Sequence, residues 1–206
     1  LTNINYGITL VCNLQPKDTI IIIENKGNAD LTITKGLIKS PFQIISPSTF
    51  PLTIKPGTNA AISLRYNPST IENIYTETML LPYTAGTCID TLRFSLIGEV
   101  RVPAFDIPAT ELNVSPLLGC TNSKDSLFPI TNSGKTDITM NAQPTAGLTI
   151  LTPFPIVIKA GETIMVSVRI EPPTDGQYKG YISFVTNECR IKKDYVIRTS
   201  KESASY

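Results

Sequence analysis

The chain has 206 residues, 41% of them hydrophobic and 17% charged, with 16 prolines and a formal charge of +1. This composition is globular, excludes disorder over most of the length, and provides no global field to draw the chain to nucleic acid or an anionic membrane. Histidine and tryptophan are both absent. That removes Ser-His-Asp and Cys-His nucleophile systems, imidazole acid–base chemistry and His-ligated zinc, and weakens any sugar-stacking platform.

The longest apolar run, Ile20 to Ile23, falls far short of the ~18 residues of a membrane helix, so no membrane insertion is expected. Leu1 is neither an initiator Met nor part of a charged and apolar leader, so any signal peptide is expected to have been removed or to lie outside this sequence.

The two halves match each other. Cys12-Asn-Leu-Gln-Pro-Lys17-Asp18 aligns with Cys120-Thr-Asn-Ser-Lys124-Asp125, and Asn25-Lys-Gly27-Asn-Ala-Asp30 with Asn132-Ser-Gly134-Lys-Thr-Asp137. Phe50-Pro51-Leu-Thr-Ile54-Lys55-Pro-Gly57 aligns with Phe154-Pro155-Ile-Val-Ile158-Lys159-Ala-Gly161, Tyr66 meets Ile170, and Cys88 meets Cys189. The offset shrinks along the chain in steps that fall between apolar blocks, as expected of duplicated domains whose loops, not strands, change length. Two homologous domains are expected, residues 1–101 and 102–206. The break follows the interruption Gly98-Glu-Val-Arg-Val-Pro103, a linker too short for a flexible tether. The first domain is expected to lack a leading strand corresponding to Phe105–Leu112 of the second.

In chain order, Thr19–Ile23, Leu31–Thr34, Ile62–Tyr66, Thr76–Leu81 and Thr91–Ile97 have strand composition, as do Val166–Ile170, Tyr181–Thr186 and Asp194–Arg198. Ile62, Leu64 and Tyr66 alternate with Ser63 and Arg65, the period of a half-buried strand. Turn signals separate these runs at Asn25-Lys-Gly27, Lys55-Pro-Gly57, Asn132-Ser-Gly134 and Asp175-Gly176. The expected fold is all-β: two tandem immunoglobulin-like antiparallel β-sandwich domains. Pro129, inside the strand matching Ile20–Ile23, predicts an edge or a bulge. Ile191-Lys192-Lys193 reads as a solvated turn and Ser200–Tyr206 as a frayed terminus.

The four cysteines, Cys12, Cys88, Cys120 and Cys189, occupy equivalent positions in the two halves. The repeat predicts disulfides Cys12–Cys88 and Cys120–Cys189; free buried thiols and a four-thiolate metal site are the alternatives, the latter without a C-x2-C knuckle in either half. Disulfides imply an oxidising, extracellular setting.

The Asn-x-Gly turn after an apolar strand, the Phe-Pro-Leu-Thr-Ile-Lys-Pro-Gly step and the alternating strand ending Arg65-Tyr66-Asn-Pro68 resemble Ig-like repeats of the Hydin (ASH) type. They are most similar to the choice-of-anchor D repeats of bacterial, Bacteroidota-type secreted surface proteins. That resemblance implies a non-enzymatic extracellular or cell-surface module without cofactor or metal. The internal match, the short linker and the expected lack of a leading strand in the first domain together predict partners among neighbouring Ig-like domains or copies of itself, joined by strand addition or head to tail.

The alternative is a polysaccharide- or protein-binding module, whose discriminating feature would be a cluster of exposed tyrosines such as Tyr75, Tyr83, Tyr178 and Tyr181. A third class, the pilus-type chaperone, needs a carboxylate-anchoring basic pair that has no distinctive counterpart here. Asn113-Val-Ser115 reads as a chance sequon, Pro173–Gln177 as a hairpin turn with too few carboxylates for calcium, and Lys17, Asp18, Lys124 and Asp125 as solvated turn residues.

Overall fold

A computed structural model describes residues 2–202. It divides into two compact units, Leu1–Arg101 and Val102–Tyr206, and the described residues contain no helix. The all-β, immunoglobulin-like expectation holds in both.

The first unit runs β1 (Thr2–Leu10), β2 (Lys17–Glu24), β3 (Leu31–Ile33), β4 (Phe42–Ser46), β5 (Leu52–Ile54), β6 (Asn59–Tyr66), β7 (Asn73–Ala85) and β8 (Cys88–Arg101). One sheet has the order β1-β8-β7-β3-β5 and the other β2-β6-β4. The second unit runs β9 (Glu111–Asn113), β10 (Leu117–Leu118), β11 (Lys124–Thr131), β12 (Ile138–Pro144), β13 (Leu148–Ile150), β14 (Ile156–Ile158), β15 (Thr163–Ile170), β16 (Gly176–Thr186) and β17 (Lys192–Glu202). It repeats the plan: β10-β17-β16-β12-β14, with β9 also on β17, and β11-β15-β13. Every pairing is antiparallel except that of the leading strand, β1 on β8 and β9 and β10 on β17, which is parallel.

Alternation drives this assembly. In β6, Ile62, Leu64 and Tyr66 point inward and are fully buried, and β15 repeats the pattern with Val166, Val168 and Ile170. The first core joins these to Ile33, Ile54, Met79, Leu81 and Leu96 of the opposite sheet, so both sheets close on one apolar layer. Burying each such side chain contributes about 2 kcal/mol. The run Ile20–Ile23 is split by the same rule: Ile23 is buried, whereas Ile20 and Ile22 face outward, 62% and 61% exposed. Pro129 sits in β11, an edge strand, where its missing N–H costs no ladder bond on the open side.

Three expectations are corrected. The leading strand of the first unit is present: β1 pairs along β8 from Thr2↔Phe94 to Leu10↔Arg101, the place β9 and β10 take on β17. It was missed because Asn3, Asn5 and Gly7 are poor strand formers and Gly7 takes a left-handed φ of 71° where the register shifts. Second, Gly98 does not end a strand, since β8 continues to Arg101. A Cβ at Gly98 would lie 2.5 Å from Tyr66 Cζ, so the glycine makes room for the ring. Third, Ser200–Glu202 belong to β17 rather than a frayed end; residues 203–206 lie outside the described residues.

The Asn-x-Gly motif closes each unit from within. Asn25 is buried; its Nδ2 donates to the carbonyls of Ala29 and Ile54 at 2.8 Å each, and its Oδ1 accepts from Gly27 N–H at 3.0 Å. Its own backbone bonds Thr58 O and Gly57 N. Asn132 repeats all five bonds, to Thr136, Ile158, Gly134, Glu162 and Gly161. Asp30 and Asp137 then fix the following turn by different means. Asp137 accepts the Ala160 N–H, while Pro56, with no N–H to give, leaves Asp30 to take the Lys55 ammonium.

Replacing Asn25 or Asn132 by Ala strands two buried carbonyls and an N–H, and each variant is expected to lose about 3 kcal/mol of stability in denaturant titrations. Gly98→Ala is expected to cost about 1–3 kcal/mol by overpacking against Tyr66. Because the second unit has Ile170 and Thr199 at the corresponding places, adding Tyr66→Ile should recover part of that loss in the double variant.

Candidate functional site

The cysteines are chemistry-bearing residues that stand at aligned positions of the two halves. Cys12 follows β1 in a turn closed by Asn13 N–H on Leu10 O, and its neighbour Val11 donates to Arg101 O at 3.1 Å. Cys12 therefore lies at the end where β8 finishes. Cys88 opens β8 opposite Ala85, at the tip of the β7–β8 hairpin. At ~3.3 Å per residue, the run from Cys88 to Arg101 spans roughly 40 Å. The second unit repeats this: Gly119 N–H donates to Glu202 O, which puts Cys120 where β17 ends, while Cys189 lies in the β16–β17 turn before Lys192, roughly 30 Å away.

Two cysteines bond only when their Cα atoms lie within ~7 Å. The within-repeat pairs Cys12–Cys88 and Cys120–Cys189 are thus corrected by the strand register. Cys12 and Cys189 are disulfide-bonded, whereas Cys88 and Cys120 carry free, exposed thiols. The equivalence of the positions was legible in the sequence. The parallel leading strand, which sends the two cysteines of a repeat to opposite ends, was not. The same separation prevents the two thiols of a repeat from sharing a metal ion, and the described residues contain no cluster of three or more His, Cys, Asp or Glu side chains fit to hold one.

The tyrosines do not form a platform. Tyr75 and Tyr83 pack against the first core and Tyr178 against the second; Tyr75 Oη donates to Ile71 O and Tyr178 Oη to Ala146 O. Tyr181 alone of the four is exposed, at 47%. Tyr66 stacks on Phe42 and Tyr6 packs at a tilt against both, with ring separations of 5.1 to 5.7 Å, and burial pushes both phenols up to about 12.

The repeated Lys-Asp pairs start strands rather than turns. Asp18 receives two bonds of 2.7 Å from Arg65, and Asp125 bonds of 2.8 and 2.9 Å from Arg169, directly across β2–β6 and β11–β15. Lys17 Nζ donates to Tyr6 O and Ile8 O, tying β1 to β2, and Lys124 Nζ donates to Ser115 Oγ. Lys193, expected in a solvated turn, reaches Phe105 O and the Asp106 carboxylate and lies 5.0 Å from the Phe105 ring centroid, while Ile191 packs on the core. Pro173–Asp175 is not a hairpin: β15 and β16 belong to different sheets, so the segment crosses between them. Asn113 of the sequon lies in β9 and donates to Glu111.

Two surface hollows are lined by strand residues. One of about 480 Å³ is lined by Asn141, Ala142, Gln143, Ser183 and Val185, and one of about 340 Å³ by Thr76, Glu77, Thr78 and Ser95. Neither brings together an acid, a base and a nucleophile.

The sequence matches no protein-family model and no curated protein. Among solved structures it is similar to extracellular cadherin domains 1–4 of protocadherin gamma B7, with a TM-score of 0.55 and 9% identity over 99% of this chain and 50% of that one. That likeness shows the fold. It is also similar to a protein of unknown function from Porphyromonas gingivalis W83 (TM-score 0.42, 12% identity, 94% of both chains). A further likeness is to an ASH/PapD-like domain of human CEP192 (TM-score 0.43, 13% identity, 49% of this chain and 87% of that one).

Two thiols per chain, Cys88 and Cys120, are expected to react with a thiol reagent without denaturant, and two more only after reduction. Hydrogen bonds hold the carboxyls of Asp18, Asp106, Glu111, Asp125 and Asp194 below their ordinary values, led by Arg65, Ser133, Arg198, Arg169 and Ser183 respectively. A depressed folded pKa contributes stability that is complete above the unfolded value, about 4, and is lost as pH falls through the folded one. With no histidine to titrate, stability measured by denaturation should stay flat from pH 5 to 8. It should then drop below about pH 4, and less steeply in an Asp18→Asn, Asp125→Asn double variant.

Proposed function

We propose that this chain is a non-enzymatic, extracellular structural module: a stretch of a repeat-containing surface or filament-forming protein of the Hydin-like, choice-of-anchor D kind. Its Ig-like domains space or assemble the parent. The observation that carries this reading is what the duplication copies. Both halves reproduce the buried asparagine with its five bonds, the cross-strand Asp–Arg pair and the inward stripe of the central strand. These are scaffold elements.

A further feature supports an extracellular setting: Cys12 and Cys189 are disulfide-bonded, which an oxidising compartment favours. Because β1 fills the leading position on β8, strand addition at that position has lost its motive, and spacing or end-to-end contact is the form of assembly that stands. Three of the four tyrosines that would mark a glycan-binding platform, Tyr75, Tyr83 and Tyr178, pack against the two cores.

Sedimentation and imaging of the natural parent protein test the reading, together with glycan-array screening of this chain. An elongated parent without turnover and without glycan retention is expected. Turnover abolished by a point substitution that leaves folding intact would overturn the non-enzymatic assignment, and saturable, specific glycan binding would replace the structural role with a recognition one.

A further inference from the structure

In the second unit, residues 104–106 run along the open side of β11 before β9 begins. Asp106 N–H donates to Thr131 O at 2.8 Å, Thr131 N–H donates to Asp106 O at 2.9 Å, and Gly134 N–H donates to Ala104 O at 3.2 Å. Between these anchors the Phe105 ring enters the core that holds Phe128 and Tyr195, and only 1% of Phe105 is exposed. The segment is a short clip: main-chain bonds to an edge strand, and one aromatic side chain sealed in the core.

The first unit has the surface for the same clip. Register makes Glu24 the counterpart of Thr131, Gly27 of Gly134 and Ile21 of Phe128, and makes Leu92 and Phe94 the counterparts of Lys193 and Tyr195. Asn25 N–H donates to Thr58 O, toward β6, so strand alternation points the N–H and C=O of Glu24 to the open side. Among the described residues neither group has a partner, and Gly27 N–H has only its bond to Asn25 Oδ1. Ile21, Leu92 and Phe94 pack against the first core yet are only half-buried, whereas Phe128 and Tyr195 are covered. Thr2, Thr91, Leu92, Arg93 and Phe94 line an open hollow of about 350 Å³. An unpaired strand edge and a half-covered apolar seat thus belong to the same unit.

The chain carries a second segment of the clip's pattern. The last strands of the two units match at an offset of 189 − 88 = 101, from Cys88 and Cys189, which makes Arg101 at the end of β8 the counterpart of Glu202 at the end of β17. Residues 102–105, Val-Pro-Ala-Phe, are then matched by residues 203–206, Ser-Ala-Ser-Tyr, with Tyr206 at the place of Phe105.

We propose that the first unit is the docking site for residues 203–206 of a second copy of this chain. Tyr206 seats on Ile21, Leu92 and Phe94, the Ser205 C=O accepts the Gly27 N–H, and the main chain at Tyr206 lies along Glu24. Each copy offers one clip and one seat on different surfaces, so the contact is head-to-tail and can repeat. It rests on the array reading above and names what joins the members.

Sedimentation velocity and amide exchange of the full chain over a concentration series test the contact. Concentrated chain is expected to form oligomers and to slow exchange at Glu24 about tenfold relative to dilute chain. Tyr206→Ala and a chain ending at Glu202 should both stay monomeric with fast exchange at Glu24, and Tyr206→Phe should associate like the unaltered chain. These changes fall beyond β17, and unfolding midpoints should not move. A synthetic peptide of residues 200–206 should dissociate the oligomers and shift the NMR signals of Glu24, Gly27, Leu92 and Phe94, and its Tyr206→Ala version should do neither. The proposal is overturned by a chain that is monomeric at every concentration, or by association that Tyr206→Ala leaves unchanged. Slow exchange at Glu24 in dilute monomer, released by ending the chain at Glu202, also overturns it, since the clip would then be intramolecular. All three results leave the array reading in place; that reading fails separately if the natural parent sediments as a compact particle without further repeats.

Discussion

Both sandwiches depend on one buried side chain each. Asn25 and Asn132 sit where the first strand of the three-stranded sheet ends, and each uses its amide to satisfy backbone groups from two other segments. A buried carbonyl without a donor costs on the order of 1–3 kcal/mol, so a turn that must pass under the sheets is tolerable only with this internal donor present. The glycine two residues on is required by the same geometry. A Cβ at Gly27 would approach Asn25 Oδ1 to 3.2 Å, and one at Gly134 would reach Ala104 N at 2.8 Å. What looks in the sequence like a turn signal is thus a polar plug in an apolar layer, and the turn, the neighbouring strand end and the Lys-x-Gly turn beyond it are all positioned by it.

Around this fixed point the two cores differ in a compensated way. The first unit fills one end with Tyr66, stacked on Phe42 and packed at a tilt against Tyr6, and opens space for it at Gly98. The second unit has Ile170 paired with Leu148, and Thr199 opposite Tyr178. Close packing makes the two sites of such an exchange interdependent, since an interior at near-crystalline density has no free volume to absorb a larger ring. Outside the core, the Asp18–Arg65 and Asp125–Arg169 pairs persist across the same strand pair in both units. Surface ion pairs are weak individually, so their retention marks the register they share rather than a large stabilisation.

The parallel leading strand has the widest consequences. In an all-antiparallel sandwich, a residue after the first strand and a residue at the last hairpin tip could fall at the same end. Running β1 parallel to β8 puts them at opposite ends, so the two cysteines of one unit cannot form an internal staple.

The strands, the internal match of the two halves and the all-β class were legible in the order of residues, because alternation, turn residues and recurring motifs are local signals: Ile62-Ser63-Leu64-Arg65-Tyr66 already states which side faces the core. That order also set the equivalence of the four cysteines. It did not determine β1, whose Asn- and Gly-rich residues form a strand only because β8 offers a ladder, nor the role of Gly98, which reads as a break until Tyr66 is seen against it. Nor did it determine where each cysteine lies, for the direction of the leading strand leaves no mark in composition or period. Which groups meet across strands far apart in the chain is a property of pairing and register, and only the tertiary structure decided it.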